Sequence, residues 1–209
     1  MAAGSSVIED HTALSRLDRK LARLEKVMAF LSGLAVFGIM LLAVVSVTGR
    51  NGFNSPLPGY VDWIEQLMPL IAFLGLAYTQ RDGTHIRMDI FVSRLRGRML
   101  WAIEWITTLI TLAVVLLLIW GSWSHFGRSF DLDAPLWSRD SSIDIAIPLW
   151  PTKLLVPVAF SVLAARLAVQ LWGFGRAFMQ NAVVPVAVPL VKSAAELAAE
   201  EADLLADDT

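Results

Sequence analysis

The sequence predicts an all-α membrane protein: four transmembrane helices, both termini on the cytoplasmic side, and an N-terminal amphipathic interfacial helix. Three observations lead there. Hydrophobic residues make up 56% of the 209 positions and charged ones 17%, with mean hydropathy +0.60, too apolar for a soluble domain of this length. The apolar residues gather into four runs, each long enough to cross the roughly 30 Å hydrocarbon core. The basic residues collect beside alternate ends of those runs, as the positive-inside rule requires.

The first run, 27–47, carries no charge and covers the core at about 1.5 Å per residue. It is too long for a signal-peptide core, and no small-residue cleavage site follows at VVSVTGR, so a retained helix is expected. The second, 61–79, holds Asp62 and Glu65 in its first turns and is otherwise uncharged. The third, 100–123, has Glu104 near its start and then an unbroken apolar stretch. The fourth, 148–174, contains Arg166 well inside it, with Pro151 and Pro157 near its start, where a first turn or a kink tolerates them. The short, proline-bearing stretch 181–191 reads as interfacial or loop.

Orientation follows from Arg16, Arg19, Lys20, Arg23 and Lys26 before span one and Arg81, Arg87, Arg94, Arg96 and Arg98 after span two, which mark the cytoplasmic side. The loop after span one has Arg50. The long loop after span three has Arg128 and Arg139 among Asp131, Asp133, Asp140 and Asp144, with Lys153 at its edge, and faces outward. Trp63, Trp101, Trp105, Trp120, Trp123, Trp150 and Trp172 fall at span ends, where an indole gains from both lipid and headgroups. The chain divides into a cytoplasmic flank, 1–26, a four-helix membrane domain, 27–175, and an acidic cytoplasmic tail, 176–209. In the flank, Leu14, Leu17, Leu21 and Leu24 recur at helical spacing between basic residues, the pattern of a helix on the membrane surface or against a partner helix.

An ionisable side chain inside a span is costly unless paired, hydrated or near the interface. Arg50 and Glu65 share the outer side and Glu104 and Arg166 the inner half, so two ion pairs are expected, with structural roles in preference to ligand binding. With no cysteine there is no disulfide framework, thiolate metal site or cysteine nucleophile. His11, His85 and His125 fall at different depths and cannot jointly ligate a haem or activate a serine within the spans. No Gly-rich phosphate loop with its lysine appears. The expectation is a protein without cofactor, metal or nucleic-acid partner, and not an enzyme.

The stretch VTGRNGFNSPLPGYVDWIEQLMPLIAFLGLAYTQRDGTHIRMDIF is the most informative. Arg50 closes span one, Pro56 sits in a short loop, Glu65 comes early in span two, Gly75 and Ala77 are small residues further along, and Gly83, His85, Ile86 and Asp89 form a turn. In this order they resemble the small membrane subunit, DctQ-like, of tripartite ATP-independent periplasmic (TRAP) transporters, as does IPLWPTKLLVPVAF from Ile147 at the entry to span four. The resemblance covers about 24–175; Asn51 departs from it, where the family often has an aromatic. It implies a scaffold for a large membrane subunit that moves an organic anion with the sodium gradient, the anion being delivered by a periplasmic substrate-binding protein. It further implies that Trp137 and the acidic outer loop meet that binding protein and that His85 and Asp89 form a structural turn. Two other readings stand beside it: a membrane anchor for a redox enzyme, and an autonomous proton-coupled exporter using Glu65.

Overall fold

The computed structural model describes residues 13–55, 57–82 and 98–180. Helix α1 spans Ala13–Phe53, α2 Tyr60–Leu74, α3 Leu76–Asp82, α4 Arg98–Ser129 and α5 Trp150–Gln180. No strand occurs among the described residues. Four helical stretches are long and apolar enough to cross a membrane, with α2 and α3 together forming the second, Tyr60–Arg81. The first three apolar runs in the sequence fall inside these stretches, and the fourth, 148–174, begins two residues before the helix that carries it, Trp150–Gln180.

The helices overrun those runs because hydropathy marks only the part in contact with lipid. At 41 residues, α1 is about 60 Å long, roughly twice the hydrocarbon thickness. The flank expected as an amphipathic interfacial helix is helical, but it continues into span one without a break. Its leucine ladder is also split. Leu14 is buried, whereas Leu17 and Leu24 are about half exposed. The face turned to the bundle carries Leu14, Ser15, Asp18, Ala22, Glu25 and Met28, a helical stripe in which polar residues alternate with apolar ones.

α5 is the hub. It packs most extensively along α4 and also touches α1, α2 and α3, while α1 runs along α2. Small apolar clusters join these helices: Ala77, Val115, Leu163 and Leu167 at mid-length, Trp101, Phe174 and Ala177 at one end, and Met28, Leu74 and Ala159 between α1, α2 and α5. Trp101 is therefore not the lipid-facing anchor its position suggested: it is buried, and its ring stacks on Phe174 with centroids 6.3 Å apart. Trp63, Trp120, Trp123 and Trp172 do remain exposed. The core is thin throughout, with only 11% of the most apolar part of α1 buried and 28% of that of α5. The rest of this apolar surface is left for lipid or another protein.

The connection from α4 to α5, residues 130–149, is folded as a cap. Two isolated bridges pair Phe130 with Ser138 and Ser141 with Pro148, and a single 3-10 turn forms at Pro135–Trp137. Leu136 and Trp137 adopt left-handed φ values of 55° and 57°, costly for non-glycine residues. Here the carbonyl of Leu136 accepts from the Trp150 indole and that of Trp137 from the Asp131 amide.

Candidate functional site

The polar stripe of α1 has a specific use. Asp18 and Glu25 lie seven residues apart, two turns along one face, and Arg166 of α5 reaches both. Its Nε and Nη2 donate to the two oxygens of Glu25, each at 2.6 Å, and its Nη1 donates to Asp18. The other oxygen of Asp18 accepts from Arg81 Nη2 of α3 at 3.1 Å. The side chains of Asp18, Glu25 and Arg166 are fully buried and that of Arg81 is 6% exposed. Two carboxylates and two guanidiniums thus make a neutral set tying three helices together. Arginine suits the post because its planar fork engages one carboxylate with two parallel bonds while a third donor stays free for another. One turn along α5, Gln170 and Gln80 extend the network: Gln80 Nε2 donates to Gln170 Oε1 at 2.8 Å and Gln170 Nε2 to the Gln80 carbonyl at 3.0 Å.

A second polar clasp closes the other end of the bundle. Asp62, in the first turn of α2 and 3% exposed, accepts from Ser142 Oγ at 2.7 Å, the Asp144 amide at 3.0 Å and the Ile145 amide at 2.7 Å. Asp144 in turn accepts from the Gly59 amide at 2.8 Å. Gly59 has φ 69°, and a Cβ there would stand 2.4 Å from Ile145 Cδ1, so only glycine fits. Beside it, Lys153 Nζ donates to Asp140 at 2.6 Å and to Ser129 Oγ at 3.0 Å. The Lys153 bond, and then the Ser129 bond, hold the Asp140 carboxyl below its usual range, and Arg139 does the same for Asp131.

Neither constellation is built for bond-making. The carboxylates are engaged by fixed donors, and among the described residues no three His, Cys, Asp or Glu side chains gather as metal ligands. What the geometry provides is a bundle tied across its helices by buried polar bonds, with uncovered apolar flanks. The family model described as tripartite ATP-independent periplasmic transporters, DctQ component, matches residues 39–176. The chain belongs to that family. As a DctQ component it is a multi-pass membrane protein and a part of a transporter, from a family that is not one of enzymes. No curated protein matches the chain. The matched segment includes Arg81 and Arg166 and begins after Asp18 and Glu25.

The residues singled out in the sequence fare unequally in this DctQ component. Arg166 is central, but the partner expected for it is replaced: its guanidinium is satisfied by Glu25 and Asp18 of α1, not by Glu104. Glu104 is itself buried on α4. Arg50 and Glu65 are both exposed and no ion pair joins them. Arg50 lines a depression with Tyr60, Val61 and Asp144, and Glu65 lies a further turn along α2. His85 and Asp89, the stretch 181–191 and the acidic tail beyond Gln180 lie outside the described residues. Asp18, Glu25, Arg81 and the Gln80–Gln170 pair were not anticipated. The available signal was the pair of acids a heptad apart in an otherwise basic flank, at helical register with one another.

Proposed function

We propose that this chain is the small permease subunit that braces the large membrane subunit of a TRAP-type transporter in the bacterial inner membrane, with both termini cytoplasmic. Uptake of an organic anion would be driven by sodium through the large subunit and fed by a periplasmic substrate-binding protein. One observation carries the reading: Asp18, Glu25, Arg81 and Arg166 are buried together in a set whose formal charges cancel, while most of the apolar surface of α1 and α4 is uncovered. A transport pathway needs polar groups that exchange partners along the membrane normal. A brace needs the opposite, a rigid interior and a broad apolar flank against which a moving neighbour can work. The family supports the partnership, since the DctQ component is one part of a tripartite system, and the basic flanks before span one and after span two support the orientation.

The test is reconstitution. Proteoliposomes containing the large subunit, supplied with binding protein, anion and an inward sodium gradient, should accumulate the anion only when this chain is present. Equal uptake without it overturns the brace; uptake by this chain alone moves the transport path into it.

A further inference from the structure

At the end of the bundle where α4 begins and α5 ends, the two helices diverge around a slot of about 420 Å³ lined by Ala102, Trp105, Ile106, Gly175, Phe178 and Met179. Both walls belong to helices long and apolar enough to cross a membrane, where acyl chains would be the surrounding solvent. The slot's walls are apolar and, among the described residues, offer the Trp105 indole N–H, which lies 3.4 Å from where a Gly175 Cβ would be and has no acceptor among them. At the mouth stands Arg98, four residues before Ala102 and hence on the same helix face. Its guanidinium lies over the Phe178 ring at 5.1 Å, and among the described residues no hydrogen bond or ion pair engages it. The ring holds the charge in place while leaving the N–H edges free to donate. Among the described residues the polar groups of the slot are thus donors, a cation at the mouth and an N–H further in, joined by an apolar trough.

The chemistry that fits is an acceptor-rich, negatively charged head on a hydrocarbon chain. We propose that this slot binds one anionic phospholipid, an acyl chain lying along Ala102, Ile106 and Gly175 and the phosphate meeting Arg98. Glycine at 175 is what keeps the trough open, since a larger side chain there projects into it. On the orientation proposed above, the lipid belongs to the inner leaflet. Its binding requires only that the chain is embedded in a membrane, so its failure would leave the transporter reading untouched.

The experiment is native mass spectrometry of the full chain, purified in mild detergent, stripped of lipid, and titrated with phosphatidylglycerol or phosphatidylcholine of identical acyl chains, and with inorganic phosphate as competitor. The wild type should retain a single phosphatidylglycerol with about tenfold preference over phosphatidylcholine, the size of effect expected for one charge-assisted contact. Arg98→Gln, at the mouth of the slot and with no bonding partner to lose among the described residues, should abolish that preference. Gly175→Leu should abolish retention of both lipids, with circular dichroism confirming its helix content. Equal retention of the two lipids by the wild type, unchanged preference in Arg98→Gln, or displacement of the lipid by inorganic phosphate would each overturn the proposal and leave the slot to a partner helix.

Discussion

Replacing Arg166 by methionine keeps most of the side-chain volume and removes the charge, leaving Asp18 with Arg81 alone and Glu25 with neither of its bonds from Arg166. Breaking a buried pair from one side costs about 3–5 kcal/mol. The cost has a ceiling, because a stranded carboxylate can take up a proton; at neutral pH that costs about 1.36 kcal/mol per unit above its ordinary value, roughly 4 kcal/mol for a glutamate. The two figures agree on a loss of about 4 kcal/mol, which for a chain of this size is a fall in Tm on the order of 10 °C. Intrinsic fluorescence of the eight tryptophans, followed through a thermal ramp in mild detergent, reads it directly. The decisive comparison is Glu25→Gln combined with Arg166→Met, which removes one charge of each sign and leaves the Asp18–Arg81 pair balanced. The double variant should recover most of the lost Tm. A single variant as stable as the wild type, or a double variant no better than the single one, would refute the neutral-network reasoning.

Other consequences are as direct. Asp62→Ala should strand the Ser142 hydroxyl and the Asp144 and Ile145 amides, weakening the cap formed by residues 130–149 by about 1–3 kcal/mol, seen as faster tryptic cleavage after Arg139 in detergent; unchanged cleavage would mean that Asp62 does not hold the cap. Gly59→Ala should destabilise by about 1–3 kcal/mol through its φ of 69° and the clash with Ile145, and adding Ile145→Ala should relieve only the steric part; complete recovery would show that the backbone conformation costs nothing. Asp140 has a folded value below its unfolded one, so its contribution is fully present above the ordinary aspartate value of about 3.9 and is lost as pH falls through the depressed folded value. Tryptophan emission from the cap should therefore hold from pH 7 through about 4 and change only below that, whereas in Asp140→Asn the component of that acid transition due to Asp140 should be missing; an identical acid transition in the variant would assign it elsewhere. Glu65→Gln, at an exposed position with no ion pair to lose, should alter Tm by no more than about 1 °C, an effect within roughly 0.5 kcal/mol; a large loss would reveal a partner for Glu65 within this chain.

The membrane spans were legible because lipid imposes its requirement locally: each run of apolar residues answers to the bilayer alone, whatever the rest of the chain does. The ordered residues from Arg50 to Ala77 carried the family in the same local way. The partners of the buried charges were not legible, since depth restricts which groups can meet but not around which helix they meet. Similar expected depth suggests pairing Glu104 with Arg166, yet Arg166 faces α1, and Asp18 and Glu25 lie in a segment whose leucines are its most visible feature. That segment's amphipathicity is real, with Leu17 and Leu24 exposed, but the opposite stripe is the one that packs. Trp101 failed for a related reason, because an indole near a span end has two ways to gain, facing the interface or filling the gap against Phe174, and only the neighbouring helix decides.

If this chain braces a larger membrane partner, as proposed, the two should leave the membrane together, and co-purification reads that directly. The tagged chain, expressed from its native chromosomal neighbourhood and extracted in mild detergent, should bring down one stable partner with many spans in near-stoichiometric amount, identified by mass spectrometry. Recovery of the folded chain alone, with its fluorescence melting transition intact, would contradict the claim.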